Sequence, residues 1–128
     1  MVYTIVVHLY AKDSPTDIEK LKNKLVEASQ VYSKDHETVG WHVMQDHQDP
    51  RAFTIVERYE RESSQKYHLE NPYWKTFDPY VMPLLEKPMD LRRFNELDTS
   101  ITASGDHRHE ASHPDPSVSH TYNGATEA

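Results

Sequence analysis

The sequence predicts an α+β domain of the ferredoxin-like, split βαβ kind, a four-stranded antiparallel sheet with helices on one face. Three observations carry this prediction. Runs rich in β-branched and aromatic residues at 2–10, 38–47, 52–59 and 89–97 read as strands. A long amphipathic segment lies between the first two, and shorter helical stretches lie between the last two. The resulting order, β-α-β-β-α-α-β, is that of the split βαβ plan.

Each element has its own local cause. In the first strand Tyr3, Ile5, Val7 and Leu9 point one way, and Val2, Thr4, Val6, His8 and Tyr10 the other. Both sets are partly apolar, so the strand calls for cover on both faces. Ser14 then offers an N-cap, Pro15 suits the first helical position and Asp17 complements the helix dipole. Ile18, Leu21, Leu25, Ala28 and Tyr32 follow at helical spacing, with Lys20, Lys22, Lys24 and Glu27 mostly outward, and the helix is expected to end near His36.

The second strand, 38–47, is entered through Gly40, and Gln48-Asp49-Pro50-Arg51 reads as the turn of a hairpin into 52–59. On the third strand Phe53, Ile55, Glu57 and Tyr59 share a face, which sets a carboxylate among apolar neighbours. A short helix over 62–69 is stopped by Asn71-Pro72. Tyr73, Trp74, Phe77, Tyr80, Val81 and Leu84 continue at helical spacing, and Pro79 and Pro83 are expected to kink or split that stretch. Residues 89–97, MDLRRFNEL, close the sheet. Helices on one face leave the other face bare, and a second copy packed about a two-fold axis supplies its cover.

The large apolar side chains fall almost wholly within residues 1–97, which are expected to form the folded domain. Residues 98–128 are rich in Ser, Thr, Pro, Gly and His. They cannot bury enough surface to offset the cost of ordering, so they read as a polar, flexible tail. His107, His109, His113 and His120 have spacing compatible with a transition metal, but nothing around them supplies supporting ligands, so no metal site is assigned.

A formal charge of −7 argues against a nucleic-acid partner, which needs a basic patch. No apolar run approaches the roughly 20 residues of a membrane span. The chain has no cysteine, which removes disulfides, thiolate metal sites and cysteine nucleophiles. It runs from Met1 into a strand with no basic leader, so a cytoplasmic location is expected, unconventional export leaving no readable trace.

Three stretches carry a family resemblance. They are GWHVMQDHQDP at 40–50, FTIVERYERESSQKYHLENPYW at 53–74 and LRRFNEL at 91–97. In that order and spacing the chain resembles the antibiotic biosynthesis monooxygenase family over about residues 2–97. The shared features are a glycine-led strand with a D-x-x-D-P hairpin, a strand ending in E-x-[W/Y], a helix containing His-Leu, and a helix opened by proline and an aromatic pair. The resemblance implies a homodimer, the dimeric α/β barrel, with a pocket in each subunit between sheet and helices. It also implies oxidation of aromatic quinols or anthrones with O2, without metal, flavin or haem. Isomerases and haem degraders share the scaffold, but the asparagine of the haem degraders' first strand is missing here. Tyr59 stands where many relatives carry tryptophan and Trp41 where many carry a small residue, so the pocket is reshaped.

The residues themselves agree with cofactor-free oxidation. There is no G-x-G-x-x-G, no G-x-x-x-x-G-K-[ST] and no H-E-x-x-H. Such chemistry needs a base, an apolar cage and donors to a developing oxyanion. His68 is the first choice of base, because imidazole titrates near neutrality. Glu57 is placed to orient it, or else pairs with Arg92 or Arg93 as a plain ion pair. Tyr59, Tyr67, Tyr73, Trp74 and Phe77 form an aromatic set suited to stacking a planar substrate, with ordinary core packing the competing account, favoured for Phe77. His42 and Met44, on the second strand, are added as candidate lining. The expected function is a cofactor-independent monooxygenase of secondary metabolism, acting with O2 on a small, largely apolar molecule, an aromatic polyketide or a lipid-derived one. The alternatives are a non-oxidative isomerase or cyclase, and a small-ligand-binding module without catalysis.

Overall fold

In the computed structural model, which describes residues 1–100, four strands form one sheet in the order β2-β3-β1-β4. The strands are β1 (Tyr3–Tyr10), β2 (Thr38–Gln45), β3 (Ala52–Tyr59) and β4 (Asp90–Asn95), and every neighbouring pair is antiparallel. Three helices, α1 (Pro15–Tyr32), α2 (Gln65–Glu70) and α3 (Trp74–Val81), complete the element order. This is the expected ferredoxin-like α+β architecture. The tail and its histidines beyond Ser100 lie outside the described residues.

The strand alternation read from the sequence sets the layering. Tyr3, Ile5, Val7 and Leu9 of β1 and Phe53, Ile55, Glu57 and Tyr59 of β3 are buried, and they pack against Leu21, Leu25, Ala28 and Tyr32 of α1 and Phe77 and Val81 of α3. Each large apolar side chain buried here contributes about 1.5–3 kcal/mol. Among the described residues nothing covers the opposite face. It presents Val6 and Val56 as cross-strand partners, and Met44 and Phe94 nearly half exposed.

Ser14 caps α1 by accepting the N–H of Asp17. The helix ends at Tyr32, four residues before the expected stop. Ser33 turns its hydroxyl back onto the Ser29 carbonyl, and Glu37 adopts a positive φ of 60°, so the chain reverses early into β2. The register of β2 on β3 then shifts between Thr38 and Gly40, a bulge. The His42 ring lies over Gly40, where a Cβ would come within 2.7 Å of it and turn that exposed side chain aside. Asp46 pins the hairpin by accepting the N–H groups of Gln48 and Asp49.

Pro79 does not split α3. In a helix this short it removes one backbone hydrogen bond, and the burial of Phe77 and Val81 on either side of it outweighs the loss. Pro83 does end the α-helical geometry, in a 3₁₀ turn at Met82–Leu84. The closing strand is shorter than the predicted 89–97, although the Glu96 N–H still reaches the Val2 carbonyl.

Candidate functional site

The site begins with the alternation of β3. Ile55 and Glu57 project to the helical side, so a carboxyl that is 5 % exposed sits on the floor of the space between sheet and helices. An unpaired carboxyl is costly there. Tyr59, two residues on and on the same face, answers part of that cost by donating its hydroxyl to Glu57 Oε1 at 2.6 Å. The Trp41 indole N–H is buried without a hydrogen-bond partner among the described residues, and lies near enough to the same carboxyl to favour its ionised form.

Above this floor stands His68, carried by α2. Six residues make a marginal helix, and side-chain anchors hold it at both ends. The Ser64 hydroxyl donates to Glu37 at 2.7 Å, and the Asn71 amide donates to Asp35 at 2.8 Å while its oxygen accepts the Tyr73 N–H. The anchors join α2 to the loop between α1 and β2, and so hold the imidazole over the sheet. Its ring packs 4.2 Å from Tyr32 and 5.9 Å from Tyr59, centroid to centroid. His68 Nε2 lies 3.7 Å from Glu57 Oε1, and Nδ1 is buried with no partner among the described residues.

These groups border a cavity of about 480 Å³. Val7, Ile55 and Glu57 form its floor, and Tyr32, Trp41, His68 and Phe77 its walls. Leu69, Trp74 and Leu91, all well exposed, form the rim together with Asp78. Among the lining residues there is no lysine or arginine. The described residues hold no cluster of three or more His, Asp or Glu side chains arranged for a metal ion.

Burial decides the protonation states. It pushes His68 down to about 4 and pushes Glu57 up from the ordinary carboxyl value. Tyr59 and Trp41, and Arg93 at longer range, pull Glu57 back toward ionisation without winning. At 3.7 Å the His68–Glu57 pair is longer than a hydrogen bond, so the carboxyl does little to hold a proton on the ring. Both groups are therefore held toward their neutral forms. A neutral imidazole and a carboxyl side by side in an apolar chamber form a pair that can take up and return a proton.

The structure brings together four of the nine residues selected from sequence: His68, Glu57, Trp74 and Phe77. Tyr59 is fully buried beneath Glu57 and acts on the carboxyl rather than on the cavity. Tyr67 turns away and stacks edge-on against His36. Tyr73 lies between α1 and α3, its hydroxyl on Glu27 and Lys24 over its ring. His42 and Met44 are exposed, and Met44 borders a separate hollow of about 680 Å³ shared with His8 and Tyr10. The register explains this: the bulge at Thr38/Gly40 turns Trp41 and Val43 inward and their neighbours outward. Among the described residues Glu57 pairs with neither arginine considered for it: Arg92 binds Asp90, and Arg93 acts on the carboxyl only at longer range. Of the lining residues not selected from sequence, two carry a hydroxyl or a carboxyl. Tyr32 was read only as the last member of the α1 stripe, and Asp78 carried no signal.

Solved structures share this fold. A conserved protein from Methanosarcina mazei superposes with a TM-score of 0.69 at 18% identity, over 76% of this chain and 94% of its own. A Nitrosomonas europaea protein provisionally named an antibiotic biosynthesis monooxygenase gives 0.69 at 18% identity, over 74% and 98%. One from Deinococcus radiodurans, named in the same provisional way, gives 0.67 at 20% identity, over 82% and 100%. The fold is thus that of structures carrying the family name suggested by the sequence motifs. No protein-family model and no curated protein matches the sequence.

Proposed function

We propose that this chain is a monooxygenase that uses O2 without a cofactor on a small, largely apolar substrate bearing an acidic O–H or C–H, such as an aromatic polyketide quinol or anthrone. The supporting observation is the neutral His68 imidazole set against Glu57 in an apolar cavity of about 480 Å³. His68 takes the acidic proton. The substrate anion passes one electron to O2, and the caged radical pair joins to form a C–O bond. His68 returns its proton to the peroxide, and loss of water with the second hydrogen of that carbon leaves the ketone. One O2 is consumed and one water released per substrate. Glu57, 3.7 Å from the imidazole, counters the charge that the ring gains, while Trp74 and Phe77 hold the substrate plane.

The test is an aerobic assay on metal-stripped protein with an anthrone. The expected result is one O2 consumed per quinone formed, and turnover that requires added metal or flavin overturns the reading. An isomerase or cyclase on this scaffold predicts equal turnover under nitrogen.

A homodimer belongs to the same proposal. The open sheet face carries Val6, Val56, Met44 and Phe94, a surface that a single copy leaves to water. Light scattering is expected to give twice the 15.0 kDa of one chain. Phe94→Arg, on that face, is expected to shift the mass toward one chain.

A further inference from the structure

The proposed chemistry uses the floor of the cavity and leaves two of its polar side chains without a task. Tyr32 is only 2 % exposed, yet its hydroxyl makes no hydrogen bond among the described residues. The ring is fixed by neighbours on both sides, Trp41 at 4.9 Å and His68 at 4.2 Å, so the hydroxyl keeps its aim on the cavity it borders. The hydroxyl faces the cavity, so a ligand group that enters can accept its proton. Asp78, on α3 at the rim, likewise makes no hydrogen bond or ion pair among the described residues. Its charge is among the influences that keep the Tyr32 hydroxyl protonated, second only to burial.

We propose that Tyr32 and Asp78 are specificity residues that bind one neutral hydroxyl of the ligand between them, Tyr32 donating to its oxygen and Asp78 accepting its proton. An alcohol or phenol is donor and acceptor at once, and this pair offers the complement of both. An ether meets only Tyr32, and a hydrocarbon leaves both groups unmet. A carboxylate brings a further negative charge to a chamber that already holds two carboxyls and no lysine or arginine. The cavity therefore selects neutral hydroxylated aromatics over organic acids, which sets aside the free-acid members of the lipid-derived class. The inference rests on the reading of this cavity as a substrate site, but not on the oxidation.

The experiment is calorimetric titration of the full chain, under nitrogen, with 2-naphthol, 2-methylnaphthalene and 2-naphthoate. The naphthol is expected to bind about tenfold more tightly than the hydrocarbon, the worth of one good hydrogen-bonded group, and the naphthoate at least about tenfold more weakly than the naphthol. Tyr32→Phe and Asp78→Asn remove groups that support nothing else among the described residues. Each is expected to bring the naphthol preference down toward one while 2-methylnaphthalene affinity stays unchanged, and Asp78→Asn is expected to admit the naphthoate. Full preference retained in either variant, naphthoate binding as tight as the naphthol, or no naphthol binding by the wild type overturns the proposal. A clear naphthol preference with no O2 consumption in the anthrone assay would instead overturn the monooxygenase reading and leave this one standing.

Discussion

His68→Ala is expected to lower O2-dependent turnover by about 10²–10⁴-fold, the usual range for loss of a positioned general base. An oxygen electrode reads this directly. Substrate affinity is expected to change little, because the aromatic rim and Phe77 remain. Added imidazole is expected to recover part of the rate, since the space vacated by the ring opens onto the cavity. Turnover within threefold of wild type places the base elsewhere.

The acid dependence supplies a second readout. Burial lowers His68 from its ordinary value to about 4, so wild-type turnover is expected to be flat near neutrality and to fall as pH drops through about 4. Stability moves with it. Between about 6.5 and 4 the unfolded chain binds a proton that the folded chain refuses. The contribution of neutral His68 is therefore fully present above 6.5 and is lost as pH falls toward 4, a change on the order of 3 kcal/mol. Urea titrations of His68→Ala are expected to show a shallower acid decline than wild type.

The contrast between His68 and Tyr67 shows where sequence reading stops. Strand alternation is a period of two, so the inward direction of Glu57 follows from Phe53, Ile55 and Tyr59 alone. A helix of six residues has no comparable apolar stripe to fix its phase, and neighbours on it point about 100° apart. Both Tyr67 and His68 stayed open as candidates until the anchors at Ser64 and Asn71 fixed the rotation. The second strand failed for another reason. A bulge of one residue at Thr38/Gly40 reverses which side chains face inward, and no residue type announces it. The sequence leaves the facing of this strand open, and the register puts Trp41 on the cavity side and His42 and Met44 outside it. Tyr32 fits the Leu21, Leu25, Ala28 series as an ordinary core residue, and only the cavity beside it shows that its hydroxyl faces open space.

Glu57→Gln is expected to yield a protein more stable than wild type at pH 8 and slower by about a hundredfold, a size typical of losing one preorganised electrostatic group. The stability gain has a definite sign. Burial raises the Glu57 pKa, so above the ordinary carboxyl value the unfolded chain loses its proton before the folded chain does. The folded state is then progressively disfavoured as pH rises through that window. Glutamine is neutral at every pH, has nearly the same shape, and keeps an oxygen to accept the Tyr59 hydroxyl. The variant is expected to match wild type near pH 4 and to exceed it by about 0.5–2 kcal/mol at pH 8, as other relieved functional sites do. Thermal melts at the two pH values measure the difference. The loss of rate has the same origin as the gain in stability. An amide cannot counter the imidazolium that forms when His68 takes a proton, so the charge that burdens the resting fold is the one the reaction requires. A Glu57→Gln protein that melts lower than wild type at pH 8 would show the carboxyl to be a structural support, and one that keeps full turnover would remove it from the chemistry.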